Sequence, residues 1–326
     1  MEENTLLLYL LNCSTVAYNS ENHKLSKKIL VLGGGGFIGT HLVAALNQSE
    51  HKIQVAGNNL LPQLNGNIAY VLGDLTIDLY QRCIAPDIIF HLAGSASVAC
   101  SLRDPYHDFA KTLPNLSALL HKMQTDWKQA RLIYLSSAAV YGENASTSTS
   151  VQCQLKPMSP YGLHKQLAEE MIQFYTRRYQ IAAQIVRPFS VYGEGLRKQL
   201  LWDALNKAQR DEFSYFGSGD QQRDWIYIGD LIDFLLNLIT KEVNEQNQLL
   251  NAGTGEGVAI KQILILLLKI AGYQQQPEFS SIGRPGDPDD LVACYQEQTA
   301  YPQLKHTSLQ QGLERYVAWF KQQEQS

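Results

Sequence analysis

Tyr161 and Lys165 stand four residues apart in the stretch Ser159-Pro160-Tyr161-Gly162-Leu163-His164-Lys165. Residues at i and i+4 share one helical face, and proline suits the first helical position because its missing N–H would be unpaired there anyway. A free tyrosine, with a pKa of about 10, is a poor base at neutral pH, but a neighbouring ammonium stabilises its phenolate. The strand-like run 131–137 ends on Ser136 and Ser137, upstream of Tyr161, and offers a hydroxyl to the same reacting oxygen. A Tyr-x-x-x-Lys pair alone reads first as a surface pair, so its chemistry depends on what accompanies it.

What accompanies it is a phosphate cradle. After the apolar run 27–32 comes Gly33-Gly34-Gly35-Gly36-Phe37-Ile38-Gly39-Thr40-His41-Leu42, with Gly33, Gly36 and Gly39 in G-x-x-G-x-x-G spacing. Gly33 permits a tight turn, Gly36 lets backbone approach a pyrophosphate, and Gly39 lets the following helix pack on the strand. The helix N-terminus then offers N–H donors to the anion. Asp74 in Gly73-Asp74-Leu75 can accept from an adenine amino group, or serve as a turn or capping residue. Leu92, Ala93 and Gly94 end the fourth apolar run with residues small enough, at Ala93 and Gly94, for close backbone approach.

A dinucleotide fingerprint also expects an acid about 20 residues past the last glycine, to hold the adenosine ribose. Here the chain reads Ala56-Gly57-Asn58-Asn59, which makes Asn58 the expected ribose contact. The missing carboxylate removes repulsion against a 2′-phosphate, yet no Arg or Lys occurs from Gly57 to Asp74 to neutralise one. NAD and NADP both stay open.

The elements that must carry these residues alternate. Apolar runs at 27–32, 53–56, 68–72, 87–93, 131–137 and 182–188 are separated, in most cases, by helical patterns. This predicts βαβ units and a parallel sheet covered on both faces, an α/β doubly wound fold. Helices are expected near 37–48, 104–123, 160–178, 199–209, 229–240, 260–271 and 308–322. The Ser/Thr-rich segment 143–154 reads as a mobile loop. The expected organisation is an extension over 1–26, a dinucleotide-binding domain over 27–190 to which 229–253 returns, and a smaller C-terminal substrate lobe from 191–228 and 254–326.

Composition narrows the function classes. The 326 residues are 45% hydrophobic and 18% charged, with a formal net charge of -4, an ordinary globular balance with no overall attraction to nucleic acid or anionic membrane. Five scattered cysteines without metal or redox spacing argue for free thiols in a reducing compartment, hence the cytoplasm. The apolar runs 5–11 and 260–270 are too short or too charged to span a bilayer, and no metal-ligand pattern occurs.

Taken in order, GGGGFIGTHL, GDL, HLAG, LSSAAVYG, SPYGLHK, RPFSVYGEGLRK, RDWIYIGDL, NAGTGEG and GRPGD resemble the extended short-chain dehydrogenase/reductase family, in its nucleotide-sugar epimerase and dehydratase branch. The resemblance covers roughly residues 28 to 290 and implies a Rossmann fold, with Ser137, Tyr161 and Lys165 as the catalytic trio. It implies cofactor contacts from Gly33, Gly36, Phe37, Ile38, Gly39, Asn58, Asp74, Leu75, Leu92, Ala93, Gly94, Tyr161, Lys165 and Pro188. Arg223 and Arg284 match positions that hold the substrate's nucleotide diphosphate, beside Ser137 and Tyr161; a guanidinium fork suits those oxygens. The residue-level alternative is a salt bridge of each with Asp224 or Asp287. Trp202 reads as core packing or as a base-stacking platform. The resemblance also implies a homodimer.

The chain departs from the family's 4,6-dehydratases, which carry an Asp-Glu pair where this sequence has Ala138-Ala139, so dehydration is disfavoured. Thr112 and Ser190 stand where asparagines are common in the family. The leading expectation is an epimerase of nucleotide-diphosphate sugars, with Tyr161 taking the sugar hydroxyl proton, transient hydride transfer to bound NAD, and return of hydride to the opposite face. The alternatives are an NADPH-dependent 4-ketoreductase of the same substrates and a catalytically silent dinucleotide-sensing or scaffold protein.

Overall fold

The computed structural model describes residues 26–59, 68–241, 248–280, 288–298 and 307–323. A seven-stranded sheet contains β1 (Lys28–Leu32), β2 (Lys52–Gly57), β3 (Ile68–Leu72), β4 (Ile88–His91), β5 (Arg131–Leu135), β6 (Ala183–Pro188) and β10 (Leu249–Ala252), in the order β10-β6-β5-β4-β1-β2-β3. Every neighbouring pair from β3 across to β6 is parallel. Strands buried on both faces must be apolar nearly throughout, and Ile29–Leu32 and Ile88–Phe90 are accordingly all buried. Strand order reverses between β1 and β4, the switch point where open α/β sheets leave a crevice at their carboxyl ends.

The helices that return the chain between these strands are α1 (Phe37–Leu46), α2 (Ile77–Gln81), α3 (Val98–Arg103), α4 (Pro105–Thr125) and α5 (Pro160–Tyr179). The long ones lie where hydrophobic periodicity predicts them. The short α2 and α3 escape that reading because one turn is too short to show a period. Side chains define their starts: Thr76 Oγ1 accepts from Leu79 N at 3.4 Å and Ser97 Oγ from Cys100 N at 3.2 Å. Helices α4 and α5 pack through Leu116, Leu119, Met123, Ala168 and Ile172, in one buried cluster with Leu132 and Tyr134 of β5.

The chain divides into two compact units. One comprises the described residues up to Val140, with Ser159–Arg187 and Leu235–Leu250; the other comprises Tyr141–Met158, Pro188–Phe234 and the described residues from Asn251 on. In the second, β7 (Ser190–Tyr192), β9 (Gln222–Tyr227) and β11 (Gly257–Ala259) form one sheet and β8 (Ser214–Tyr215) pairs with β12 (Glu278–Phe279). Its helices are α6 (Gln199–Ala208), most of α7 (Ile228–Leu238), α8 (Ile260–Ala271), α9 (Tyr295–Gln298) and α10 (Leu309–Gln323). Trp202 packs edge-on against Phe320 at 5.1 Å and beside Trp319 at 5.9 Å, which assigns it to the core of this unit.

The segment expected as a mobile loop is tied down within that second unit. Thr149 is fully buried and bridges to Ala293, while Ser150 Oγ donates to Glu297 Oε1 at 2.6 Å. Tyr141 Oη donates to Asn251 Oδ1 at 2.6 Å, and the Asn251 amide donates to the Thr149 carbonyl at 3.0 Å. Thr149 and Ser150 are satisfied by partners far along the chain, while residues 143, 144, 146–148, 152 and 154 are exposed as the composition suggests. Among the described residues, Cys83, Cys100, Cys153 and Cys294 are in no disulfide. Among the described residues no helix is long and apolar enough to cross a membrane.

Candidate active site

The glycines after β1 shape the first half of the site. Gly33 turns the chain at φ 84°, a conformation that disfavours any side chain, and a Cβ there would lie 2.6 Å from Ala93 N. Gly39, inside α1, has even less room: a Cβ would lie 2.2 Å from the Gly33 carbonyl oxygen. Gly36 is the N-cap of α1 and offers no side-chain cap, and the first turn carries no acid. The N–H groups of this turn are therefore presented to an incoming anion without a competing carboxylate.

A cleft of about 940 Å³ opens over these residues, all of it within the first unit. Of the residues expected at a cofactor, Gly33, Gly36, Asn58, Asp74, Leu75, Leu92, Ala93 and Gly94 line it. Phe37, Ile38, Gly39, Tyr161, Lys165 and Pro188 do not. Gly39 acts by close packing, Phe37 opens α1 with its ring edge-on to His41 at 5.6 Å, and Pro188 ends β6. Asn58 is engaged at the end of β2, where its amide donates to Asp74 Oδ1 at 2.5 Å.

The sequence reading missed one wall of this cleft, the face of α4 formed by Ala110, Lys111, Pro114, Asn115 and Ala118. The signal was available in the i, i+3, i+4 spacing of 111, 114, 115 and 118, which puts them on one face. Lys111 brings a cation to the cleft wall from an element other than the β2–β3 segment. The volume, the backbone-lined turn and the absence of any side chain where a pyrophosphate would lie fit a dinucleotide.

The start of α5 sets the turn that carries Tyr161 and Lys165. Ser159 Oγ accepts from Gly162 N at 3.2 Å as N-cap, Pro160 occupies the first helical position, and the Tyr161 N–H donates to Ser101 Oγ of α3 at 3.1 Å. Ser137 stands just past β5. Burial raises the Tyr161 pKa most, interaction with the Ser137 hydroxyl lowers it, and the Asp108 charge raises it. Ser137 Oγ also accepts from Ala139 N at 3.2 Å, which fixes its hydroxyl at the strand end.

Lys165 is buried, and its ammonium donates to the Leu135 carbonyl at 2.8 Å and to Tyr134 Oη at 3.4 Å, 4.9 Å over the Tyr134 ring. Burial draws its pKa down to about 8, against the charges of Asp108 and Glu169 that raise it. A Cβ built on Gly94 would lie 4.0 Å from Lys165 Nζ, so the lysine borders the Gly94 end of the cleft. Directly behind Ser137, Ser136 Oγ donates to Glu169 Oε1 at 2.5 Å, and Glu169 takes a two-pronged bond from Arg187, at 3.0 Å from Nε and 2.5 Å from Nη2. These three buried residues tie β5, α5 and β6 together beneath that turn.

Of the two arginines expected at a diphosphate, Arg223 belongs to the second unit. Arg223 donates from Nη1 to the Gln222 and Asp289 carbonyls, each at 2.9 Å, and from Nη2 to the Pro288 carbonyl at 2.7 Å. The alternative pairing with Asp224 is overturned: Asp224 is buried and accepts from the Thr254, Gly255 and Ala293 N–H groups at 2.7, 2.9 and 3.2 Å. Consecutive strand residues point to opposite faces, so the two cannot share a site. Arg284 and its alternative partner Asp287 lie outside the described residues.

Residues 29–253 match the model of the NAD-dependent epimerase/dehydratase family. The chain is 30% identical over 322 residues to the uncharacterised UDP-glucose epimerase YtcB of Bacillus subtilis, covering 90% of this chain and 97% of that protein. It is 27% identical over 311 residues to a putative UDP-glucose 4-epimerase of Methanocaldococcus jannaschii, covering 90% and 98% of the two chains. Among solved structures it resembles the UDP-glucose 4-epimerase of Thermotoga maritima with UDP-glucose, at a TM-score of 0.79, 28% identity and coverage of 90% and 99%. It also resembles the UDP-glucuronic acid 4-epimerase of Bacillus cereus in complex with UDP-glucuronic acid and NAD, at 0.80, 27%, and 90% and 99%. A glycine cradle at the switch point, a tyrosine followed one turn on by a buried lysine, and a family match through most of the chain agree: this protein belongs to the NAD-dependent epimerase/dehydratase family.

Proposed function

We propose that the protein is a nucleotide-sugar 4-epimerase that uses NAD held in the glycine-lined cleft, with Ser137, Tyr161 and Lys165 as its catalytic groups. The observation that carries this reading is the buried Lys165 ammonium, seated on the Leu135 carbonyl at the Gly94 end of the cleft, one helical turn on from Tyr161 and beside the strand end that carries Ser137. Relatives and solved neighbours that act on UDP-glucose and UDP-glucuronic acid support UDP-sugars as the substrate class. Bound in the cleft, the dinucleotide supplies a reversible two-electron acceptor for the sugar carbon.

Tyr161 is the proton acceptor for the sugar hydroxyl. In this state burial holds its phenol protonated, so it becomes a base only when positive charge gathers around it. Lys165 contributes that charge through the helix turn, and with its pKa near 8 it is mostly protonated at neutral pH. Ser137 donates to the same sugar oxygen and steadies its developing charge. Arg223 is assigned to the diphosphate together with Arg284; in the second unit, its guanidinium is presently held by the carbonyls of 288 and 289. A second copy of the chain is the proposed partner, as in the family the sequence resembles.

Purified protein with UDP-glucose and UDP-glucuronic acid, followed by proton NMR of the anomeric region, should interconvert at least one pair of 4-epimers. Tyr161→Phe should lower turnover by about 10²–10⁴-fold while NAD binding is retained. Full activity in that variant removes Tyr161 from the mechanism. The 4-ketoreductase reading draws on Asn58 in place of the ribose-binding acid and on Lys111 in the cleft wall. It predicts stoichiometric loss of NADPH absorbance with a 4-keto sugar nucleotide, whereas an epimerase consumes no external cofactor.

A further inference from the structure

His164 and Asp108 flank the catalytic turn and have no role in the mechanism above. His164 is three residues past Tyr161 and adjacent to Lys165, and its Nδ1–H donates to Asp108 Oδ2 at 2.6 Å across the seam between α4 and α5. The imidazole is held from the other side by the Phe109 ring, edge-on at 5.6 Å. Asp108 is 2% exposed, and its second oxygen, Oδ1, is buried with no hydrogen-bond partner. One turn along the same helix, Thr112 Oγ1 is likewise buried and orphaned.

A buried carboxylate with half its acceptor capacity unused is costly unless an opposite charge compensates it. Lys165 brings a cation to this seam: a Cβ at Gly94 would lie 4.0 Å from its Nζ and 3.7 Å from Oγ1 of Thr112, one turn along from Asp108, and the Asp108 charge favours its protonated form. Lys165 interacts with Tyr134 from β5, His91 from β4, Glu169 from its own helix and Asp108 from α4. Glu169 is the weaker counter-charge, because Arg187 already neutralises it through two hydrogen bonds.

We propose that Asp108, clamped by His164, is a positioning residue for the Tyr161–Lys165 turn: its carboxylate is the fixed counter-charge that keeps the Lys165 ammonium charged and seated on the Leu135 carbonyl. This rests on Tyr161 and Lys165 being the catalytic pair. The sign of the effect follows from the groups it faces. Asp108 supports the charged form of Lys165 and opposes ionisation of Tyr161. Removing its charge therefore lets Lys165 lose its proton at lower pH and lets Tyr161 ionise at lower pH. Both limbs of the pH–rate profile move in the acid direction, whereas a role in packing alone changes rate or stability and leaves the limbs where they are.

The test begins with a measurement that needs no turnover. With lysine labelled by ¹³C at Cε, the Lys165 resonance is assigned by its loss in Lys165→Met and titrated in wild type and in Asp108→Asn, which still accepts from the His164 Nδ1–H. The midpoint, expected near 8 in wild type, should fall by about 1 pH unit or more in the variant. Asp108→Ser removes the same charge with a smaller side chain and serves if the amide variant does not fold. An unchanged midpoint overturns the proposal. In the epimerase assay, both limbs of kcat/KM against pH should shift to lower pH in Asp108→Asn and return in Asp108→Glu. A wild type inactive on every sugar nucleotide, with the resonance still shifting, sinks the catalytic reading and leaves the electrostatic role of Asp108 standing.

Discussion

The glycine cradle and the Tyr161 turn lie in the same unit and are built in opposite ways. The cradle is backbone: a Cβ on Gly33 or Gly39 would collide with neighbouring backbone, so its geometry is enforced by steric exclusion. The turn is side-chain charge: Lys165, Glu169, Asp108 and Arg187 are buried and held by hydrogen bonds from neighbouring elements. Steric sites fail by collision, and charged buried sites fail by leaving a partner uncompensated. The second failure is the larger, so the strut beneath the turn should be the most sensitive point of the comparison.

Glu169→Gln tests that strut. Both side chains of the Glu169–Arg187 pair are essentially buried, at 1% and 2% exposure, and the substitution leaves the guanidinium without its carboxylate. Breaking such a pair from one side costs about 3–5 kcal/mol. Chemical denaturation should show that loss, with a lowered midpoint and little change in slope. A loss below about 1 kcal/mol would mean that water reaches the pair in solution and that Ser136 is fixed by something else.

The cradle should separate two glycines that its spacing treats alike. A Cβ on Gly39 would lie 2.2 Å from the Gly33 oxygen and 2.7 Å from the Gly34 Cα, so α1 must move away from the turn. Gly39→Ala is expected to cost about 1–3 kcal/mol of stability through overpacking and to weaken NAD binding with it. Gly36 already has extended backbone, φ -81° and ψ 172°, and a Cβ there would only touch the Gly33 oxygen at 3.4 Å. Gly36→Ala should leave the melting temperature near wild type while weakening NAD roughly tenfold or more, because the methyl stands where the pyrophosphate must approach. Equal losses of stability in the two variants would erase this distinction.

That contrast also explains what could be read from the chain before its fold was known. The cradle was legible because a steric requirement leaves its mark at fixed short spacing, and the lengths of α1, α4 and α5 followed from apolar periodicity. Ser136, Glu169 and Arg187 carry no local signature: each is an ordinary residue for its element, and the links run 33 and 18 residues along the chain. The Asp108–His164 contact spans 56 residues and depends on the rotation of two helices about their axes, which periodicity constrains only to a face. Segment 143–154 shows the converse error, since hydroxyl-rich composition suggests solvent exposure where Thr149 and Ser150 are in fact partners of the distant residues Ala293 and Glu297. Arg223 was identified by motif, yet its present engagement with the carbonyls of 288 and 289 could come only from the fold.

The adenosine end of the cleft, where both building principles meet at the surface, gives the smallest expected effect. Asn58 occupies the place of the fingerprint acid and donates to Asp74 Oδ1. Restoring the acid by Asn58→Asp would ordinarily favour NAD, because a carboxylate accepts from both ribose hydroxyls. Here it sets two carboxylates against each other in place of a hydrogen bond, and at an exposed site that repulsion is modest and screened by salt. Isothermal titration should show NAD affinity unchanged or weakened by no more than about fivefold at low salt, converging with wild type as salt is raised. Adding Asp74→Asn to Asn58→Asp removes the repulsion and should bring affinity above that of the single variant. If Asn58→Asp alone tightens NAD, Asp74 is not the partner that made asparagine suitable at this position.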